Sequence, residues 1–242
     1  MAQVSDEGVV LRTYRLGEAD RIVVVMTAEH GKVRAVAKGV RKTNSKLGAR
    51  LEPMTSVSLL LWKGRSELMT VSQVEVLERH WNLRGDLDRM TAGLSMLEVV
   101  DQVGQDDHPD PALLDTLARA LRVLNDKDRD PTLVAPAFFL RVLELDGAAP
   151  MIDACAQCGA DDAELVAFDY SIGGALCREC RRGRPLSNDA LGILHAIYGG
   201  GLGDLLAGAP PAGAAEVAEL ATEAMEAHLD RRLRSVRSVA GI

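Results

Sequence analysis

GVVLRTYRLGEADRIVVVMTAEHGKVRAVAKGVRK, residues 8–42, consists of short apolar runs broken by turn chemistry. Gly8 to Tyr14, Arg21 to Thr27 and Lys32 to Lys38 are rich in Val, Leu and Thr, and Leu16-Gly17-Glu18 and Glu29-His30-Gly31 separate them. That is the pattern of three strands and two turns. Two further runs, Ser56 to Trp62 and Glu67 to Leu77, follow a long segment from Gly39 to Arg50 and meet at Lys63-Gly64-Arg65, a tight hairpin signal. Five strands in about 75 residues with one long loop suit a small OB-fold barrel, and an SH3-like barrel fits the same strand count.

After Trp81 the apolar period changes from two to about 3.6. Leu83, Leu87, Met90, Leu94, Leu97 and Val100 form one helical stripe, and Leu113, Leu114, Leu117, Leu121 and Leu124 form a second behind Pro109 and Pro111. A third helix follows Pro131 and ends at Gly147. Helical pattern resumes from Ser187 to Tyr198, and GGGLGDLLAGAPPAG reads as a linker into a last helix over Ala214 to Arg237. The expected class is α+β. An OB-fold barrel covers 1–81, a helical domain 82–150 and 185–242, and a four-cysteine ribbon inserted in it 151–184.

The 242 residues, 47% hydrophobic and 26% charged, match an ordinary globular chain and exclude collagen-like or wholly disordered classes. No apolar run approaches the roughly 18 residues of a membrane helix. The opening MAQVSDEGVV carries acids where a secretory signal would be basic and then apolar, so a cytoplasmic protein with reduced thiols is expected. The net charge of -7 is unevenly spread: residues 1–81 hold 13 Lys and Arg against 9 Asp and Glu, residues 82–242 hold 15 against 26. A uniformly acidic protein repels phosphate; this one has a basic front.

All four cysteines fall in two pairs, Cys155-Ala156-Gln157-Cys158 and Cys177-Arg178-Glu179-Cys180, with 18 residues between. Two such turns supply a closed tetrahedral thiolate shell for one structural Zn2+, with no position left for water. Leu165 to Tyr170 and Ala175 to Leu176, joined by Ser171-Ile172-Gly173-Gly174, read as the hairpin that returns the second knuckle to the first. Two disulfides, or four buried free thiols, are the competing accounts. Arg178, Arg181, Arg182 and Arg184 around the second knuckle suit either phosphate or solvent.

The basic excess is concentrated between Gly31 and Arg50, where Lys32, Arg34, Lys38, Arg41, Lys42, Lys46 and Arg50 occur with no acid. Period two places Lys32, Arg34 and Lys38 on one face of a strand while Val33, Ala35 and Ala37 point to the core. A cationic strand face beside a basic loop suits single-stranded nucleic acid held through its phosphates, without sequence readout. Tyr14, Trp62 and Trp81 are the aromatics of the β region; they stack bases or, more commonly for such residues, fill a barrel core.

No phosphate-binding glycine loop, dinucleotide turn or zinc-protease helix motif is present, and His30, His80, His108, His195 and His228 lack metal or nucleophile spacing. His195 reads as a packed residue. The pattern is that of a binding protein, not an enzyme. The rival from another class is a zinc-ribbon adaptor that docks protein and has no annealing activity.

EGVVLRTYRLGEADRIVVVMTAEHGKVRAVAKGVRK, then LEPMTSVSLLLWKG, then CAQCG and CREC late in a helical body, resemble the bacterial RecO DNA repair family over the whole chain, in its zinc-bearing branch. The resemblance implies an OB-fold joined to a helical bundle and recombination mediation. It implies binding of single- and double-stranded DNA, strand annealing, and recombinase loading on strands coated by single-stranded-DNA-binding protein, with RecR as partner. The family's basic barrel surface maps onto Lys32, Arg34, Lys38, Arg41, Lys42, Lys46 and Arg50. Arg231, Arg232, Arg234 and Arg237 form a second basic cluster, read as partner-binding or as complements to a helix dipole.

Overall fold

The computed structural model describes residues 2–41, 47–64 and 68–237. The chain divides into two compact units, Met1–Asn125 and Asp126–Ile242.

In the first unit, β1 (Ala2–Leu16), β2 (Asp20–Thr27), β3 (Gly31–Ala37), β4 (Ser56–Lys63) and β5 (Met69–Glu78) close a barrel in the order β1-β2-β3-β5-β4. Four pairings are antiparallel, and β3 closes on β5 in parallel through Ala35 to Met69 and Val36 to Thr70. This is the OB-fold arrangement. Strand β1 is longer than its apolar run, because its polar first half pairs with β4 while its second half pairs with β2. A strand serving both neighbours must bend. A bulge between Val10 and Arg12 and the glycine at position 8 provide the bend, and a Cβ on Gly8 would stand 2.2 Å from the Met26 carbonyl oxygen. Val10, Val23, Val25, Val33, Ala35, Leu59 and Leu61 fill the barrel from alternating positions.

The outer face of β1 and β2 is also apolar. Val9, Leu11, Val24 and Met26 are buried, and helices α1 (Leu87–Val103) and α2 (Pro111–Asn125) pack on β1. The Asp86 side chain accepts the Arg89 amide at 3.1 Å and starts α1; Asp110 does the same for Leu113 at 2.9 Å, with Pro111 in the first turn of α2. Because α1 begins at Leu87, the expected stripe is displaced in part. Leu83 is buried but lies in a 3₁₀ turn (Trp81–Gly85), Leu97 and Val100 are buried on the helix as expected, Leu87 and Leu94 are exposed, and Gly93, Met96 and Val99 join the buried face. The second stripe holds, with Leu113, Leu117, Leu121 and Leu124 inside. None of the three β-region aromatics fills the core: Tyr14, Trp62 and Trp81 are 43%, 42% and 62% exposed.

In the second unit, α3 (Val134–Leu145) packs against α6 (Ala214–His228), whose Ala214, Ala221 and Ala224 allow close approach. Between them come a small sheet, β6 (Leu165–Asp169), β7 (Gly174–Cys177) and β8 (Arg184–Pro185) in the order β7-β6-β8, then α4 (Asn188–Gly199) and α5 (Leu202–Leu205). The expected linker is built into the fold: Leu206 is buried and its carbonyl accepts the Asp130 amide at 3.1 Å. The expected last helix is two. It breaks after His228, where Asp230 takes φ 49 and Glu226 accepts the amide of buried Leu233 at 2.9 Å, and α7 (Arg234–Arg237) follows. His195 is half exposed, its Nε2 3.2 Å from the Asp153 carboxylate.

Candidate nucleic-acid interface and metal centre

Strand β3 alternates as its sequence requires. Val33, Ala35 and Ala37 are buried while Lys32 and Arg34 project outward, and Lys38 is exposed just past the end of the strand. The structure adds two cations from neighbouring strands: Arg12 on β1, its guanidinium 4.9 Å from the centre of the Tyr14 ring, and Lys63 at the end of β4. Outward alternation over Arg12 and Tyr14 is the signal for the first. Together Arg12, Lys32, Arg34 and Lys63 border one concavity on the barrel wall with Tyr14, Asp106 and Asp107.

That concavity carries its own carboxylates, supplied by the end of α1 and the loop after it. Asp101 Oδ2 lies 2.8 Å from Arg12 and its Oδ1 4.0 Å from Lys32 Nζ, which also donates to the Asp101 carbonyl at 2.7 Å. Asp106 faces Arg34 at 3.4 Å and Lys32 at 4.0 Å, and Asp107 faces Lys63 at 3.4 Å. The loop is pinned at Gly31. The Lys32 amide donates to the Gln105 carbonyl at 2.9 Å, and Gly31 at φ 66 leaves room for the His108 carbonyl, which a Cβ there would meet at 2.3 Å. Asp101 is nearly buried, and burial pushes its carboxyl above the usual range against the pull of Arg12, Lys32 and Arg34.

The other expected cations do not join this face. Arg41 donates to the Gly17 carbonyl in the β1–β2 turn at 3.2 Å, and Arg50 donates to the Val74 carbonyl on β5 at 3.1 Å. Lys38 has no ionic partner among the described residues. Lys42 and Lys46 lie outside the described residues. The run is therefore contiguous in sequence but distributed in space, with Lys32 and Arg34 as its contribution to the concavity.

The four cysteines converge. Their sulfurs all lie within 4.8 Å of one another, and Cys158 and Cys177 are 3.9 Å apart. Disulfide sulfurs stand about 2.05 Å apart, whereas four thiolates about 2.3 Å from one tetrahedral ion are about 3.8 Å from each other. The spacing fits a metal ion and not a disulfide, and the four thiols are unpaired. Local folding makes the site: the Gly159 amide donates to the Cys155 carbonyl at 2.8 Å, the Ala156 amide to the Ala175 carbonyl at 2.8 Å, and Leu165 pairs with Cys177 across β6 and β7. The Cys177 amide first, then those of Cys158 and Gln157, draw the Cys155 thiol down to about 6, while burial and the neighbouring thiols push Cys180 up to about 12. Four thiols so close ionise together only around a cation.

The knuckle arginines are largely engaged within the unit. Arg178 pairs with Glu164 at 2.8 Å, Arg182 with Gln157, and Arg184 with Glu219 and, at 2.6 Å, Glu223. No helix of the described residues is long and apolar enough to cross a membrane.

Residues 1–80 match the family model described as Recombination protein O N terminal, and residues 84–237 the model Recombination protein O C terminal. Two full-length relatives carry the name DNA repair protein RecO. One, from Streptomyces coelicolor, is 39% identical and covers 99% of each chain; one from a Nocardioides species is 41% identical and covers 97% of this chain and 98% of its own.

Proposed function

Because the chain belongs to the RecO family of DNA repair and recombination proteins, we propose that it binds single- and double-stranded DNA and anneals complementary strands. In this reading it also helps load recombinase on strands coated by single-stranded-DNA-binding protein, with RecR as a further partner, in the cytoplasm at the nucleoid. The zinc-ribbon cysteines Cys155, Cys158, Cys177 and Cys180 hold one structural Zn2+.

The observation that carries the proposal is the cluster Arg12, Lys32, Arg34 and Lys63 on the wall of an OB-fold barrel. Lys38, Arg41 and Arg50, which do not border that concavity, and Lys42 and Lys46 complete the expected DNA-binding set. Two DNA strands repel through their phosphates; a surface that neutralises backbone while leaving base edges free lowers the cost of bringing complements together. Annealing of this kind needs no bond chemistry. Asp106 and Asp107 occupy the cations when DNA is absent, and a phosphate exchanges with them, which keeps binding moderate and reversible. The acidic remainder of the chain restrains indiscriminate coating of DNA and offers surface to protein partners.

The test is annealing of fluorescent complementary oligonucleotides with and without single-stranded-DNA-binding protein. Acceleration in both conditions is expected. DNA binding without acceleration would support the adaptor reading instead.

A further inference from the structure

A second site lies elsewhere on the first unit. A cavity of about 330 Å3 opens between residues 49–55, the 3₁₀ turn Trp81–Gly85 and the first half of α1. One wall is Trp81, the most exposed large apolar side chain among the described residues. Two guanidinium groups lie over its indole, Arg79 at 5.1 Å and Arg84 at 5.8 Å. Another wall is His80, 6% exposed, and neither of its ring nitrogens has a hydrogen-bond partner among the described residues. An unpaired buried imidazole is destabilising. Burial pushes its pKa below the usual value, opposed by Glu78, so the ring is neutral with one N–H donor and one bare acceptor. Met54, at φ 65, completes the cavity beneath, its sulfur 2.6 Å from where a Cβ on Gly93 would stand.

We propose that this cavity holds one nucleotide of a single strand, its base stacked on Trp81, its phosphates drawn to Arg79 and Arg84, and its base edge hydrogen-bonded to the His80 ring once that buried side chain turns toward the cavity. A flat ligand with donors and acceptors on its edge and an attached anion satisfies all three features at once, and few ligands other than a nucleotide do. Stacking of a base on an aromatic ring outweighs an exposed cation–π contact, so a base displaces a guanidinium from the indole and frees it for phosphate. The assignment rests on the reading that the protein binds single strands and adds to it a contact with bases, through residues remote from the phosphate-binding concavity.

The test uses the full chain carrying Trp62→Phe, which leaves Trp81 as the sole tryptophan, since the sequence has two. Its fluorescence is titrated with a short oligothymidylate, with an abasic strand of equal length and charge, and with thymidine monophosphate alone. Quenching by the oligothymidylate and about 10-fold weaker binding of the abasic strand are expected. Trp81→Ala, introduced in the parent chain and read by anisotropy, should abolish the preference for base-bearing DNA, Trp81→Phe should largely keep it, and His80→Phe should reduce it while raising the melting temperature. An unchanged preference in Trp81→Ala overturns the site. Mononucleotide binding as tight as that of the strand overturns the strand assignment. Strand binding that ignores bases but follows salt defeats this proposal and leaves the annealing surface standing. Failure of every strand to bind defeats both.

Discussion

Oδ2 of Asp106 stands 3.4 Å from Nη2 of Arg34, and Oδ1 of the same carboxylate lies 4.0 Å from Lys32 Nζ. The side chains that best suit a phosphate are thus already in the company of an acid, at about half exposure for the Arg34 pair. Exposed ion pairs of this kind contribute about 0.2–1 kcal/mol. Asp106→Asn should therefore raise affinity for single strands by about 1.4- to 5-fold at low salt. Fluorescence anisotropy at fixed ionic strength reads the change, and an unaltered or weakened affinity would show that Asp106 does not compete with phosphate.

Salt dependence counts the contacts. If about four cations meet phosphate, log K should fall with log salt at a slope near -3, from about 0.7 per contact on a single strand. Arg34→Glu combined with Lys63→Glu should flatten it by about 1.4. Both side chains project from the barrel, so the melting temperature should barely move. An unchanged slope sinks the assignment of this face.

Asp101 is held by Arg12 at 2.8 Å, and its Oδ1 has no hydrogen-bond partner among the described residues. Arg12→Leu should destabilise the protein by about 1–3 kcal/mol, because a nearly buried carboxylate loses its closest counter-charge. The pH dependence has a definite sign. Burial raises the folded pKa of Asp101 above its ordinary 3.8, so the folded state favours the protonated acid, and stability from this group is lost as pH rises from the unfolded value through the folded one. Removing Arg12 raises the folded pKa further. The melting-temperature deficit of the variant should be small near pH 4 and grow toward pH 8, and a deficit independent of pH would contradict the assignment.

Removing one thiolate from the ribbon should unmake the metal site. Cys177→Ser is expected to release the metal and lower the melting temperature, and a strong chelator should do the same to the parent protein, because binding to a structural site is folding free energy. Metal analysis of the parent should find one equivalent of zinc per chain. A Cys177→Ser protein that keeps its full equivalent would refute the four-cysteine shell.

The parts of this molecule legible in the amino-acid order are those whose cause is local. Alternation in GKVRAVA says which side of β3 faces the core, turns at Gly17 and Gly31 delimit the strands, and Cys-x2-Cys twice over announces the ribbon, since each depends on neighbours a few residues away. The start of β1 was illegible because Ala2 to Glu7 has no apolar period; backbone pairing with β4 makes it a strand. The Leu83 end of the apolar stripe falls outside α1, because the Asp86 cap and not the stripe sets where the helix begins, while Leu97 and Val100 are buried as their spacing predicts.

What folding alone settled is which charges meet. Arg34 and Asp106 are far apart in the chain, and nothing near either one forecasts the other. Coulomb attraction acts through distance in space, and space between such residues is assigned only when Gly31 admits the loop after α1. The same holds for His80, whose isolation is a property of the walls around it: composition supplied the imidazole, and packing withheld its partners.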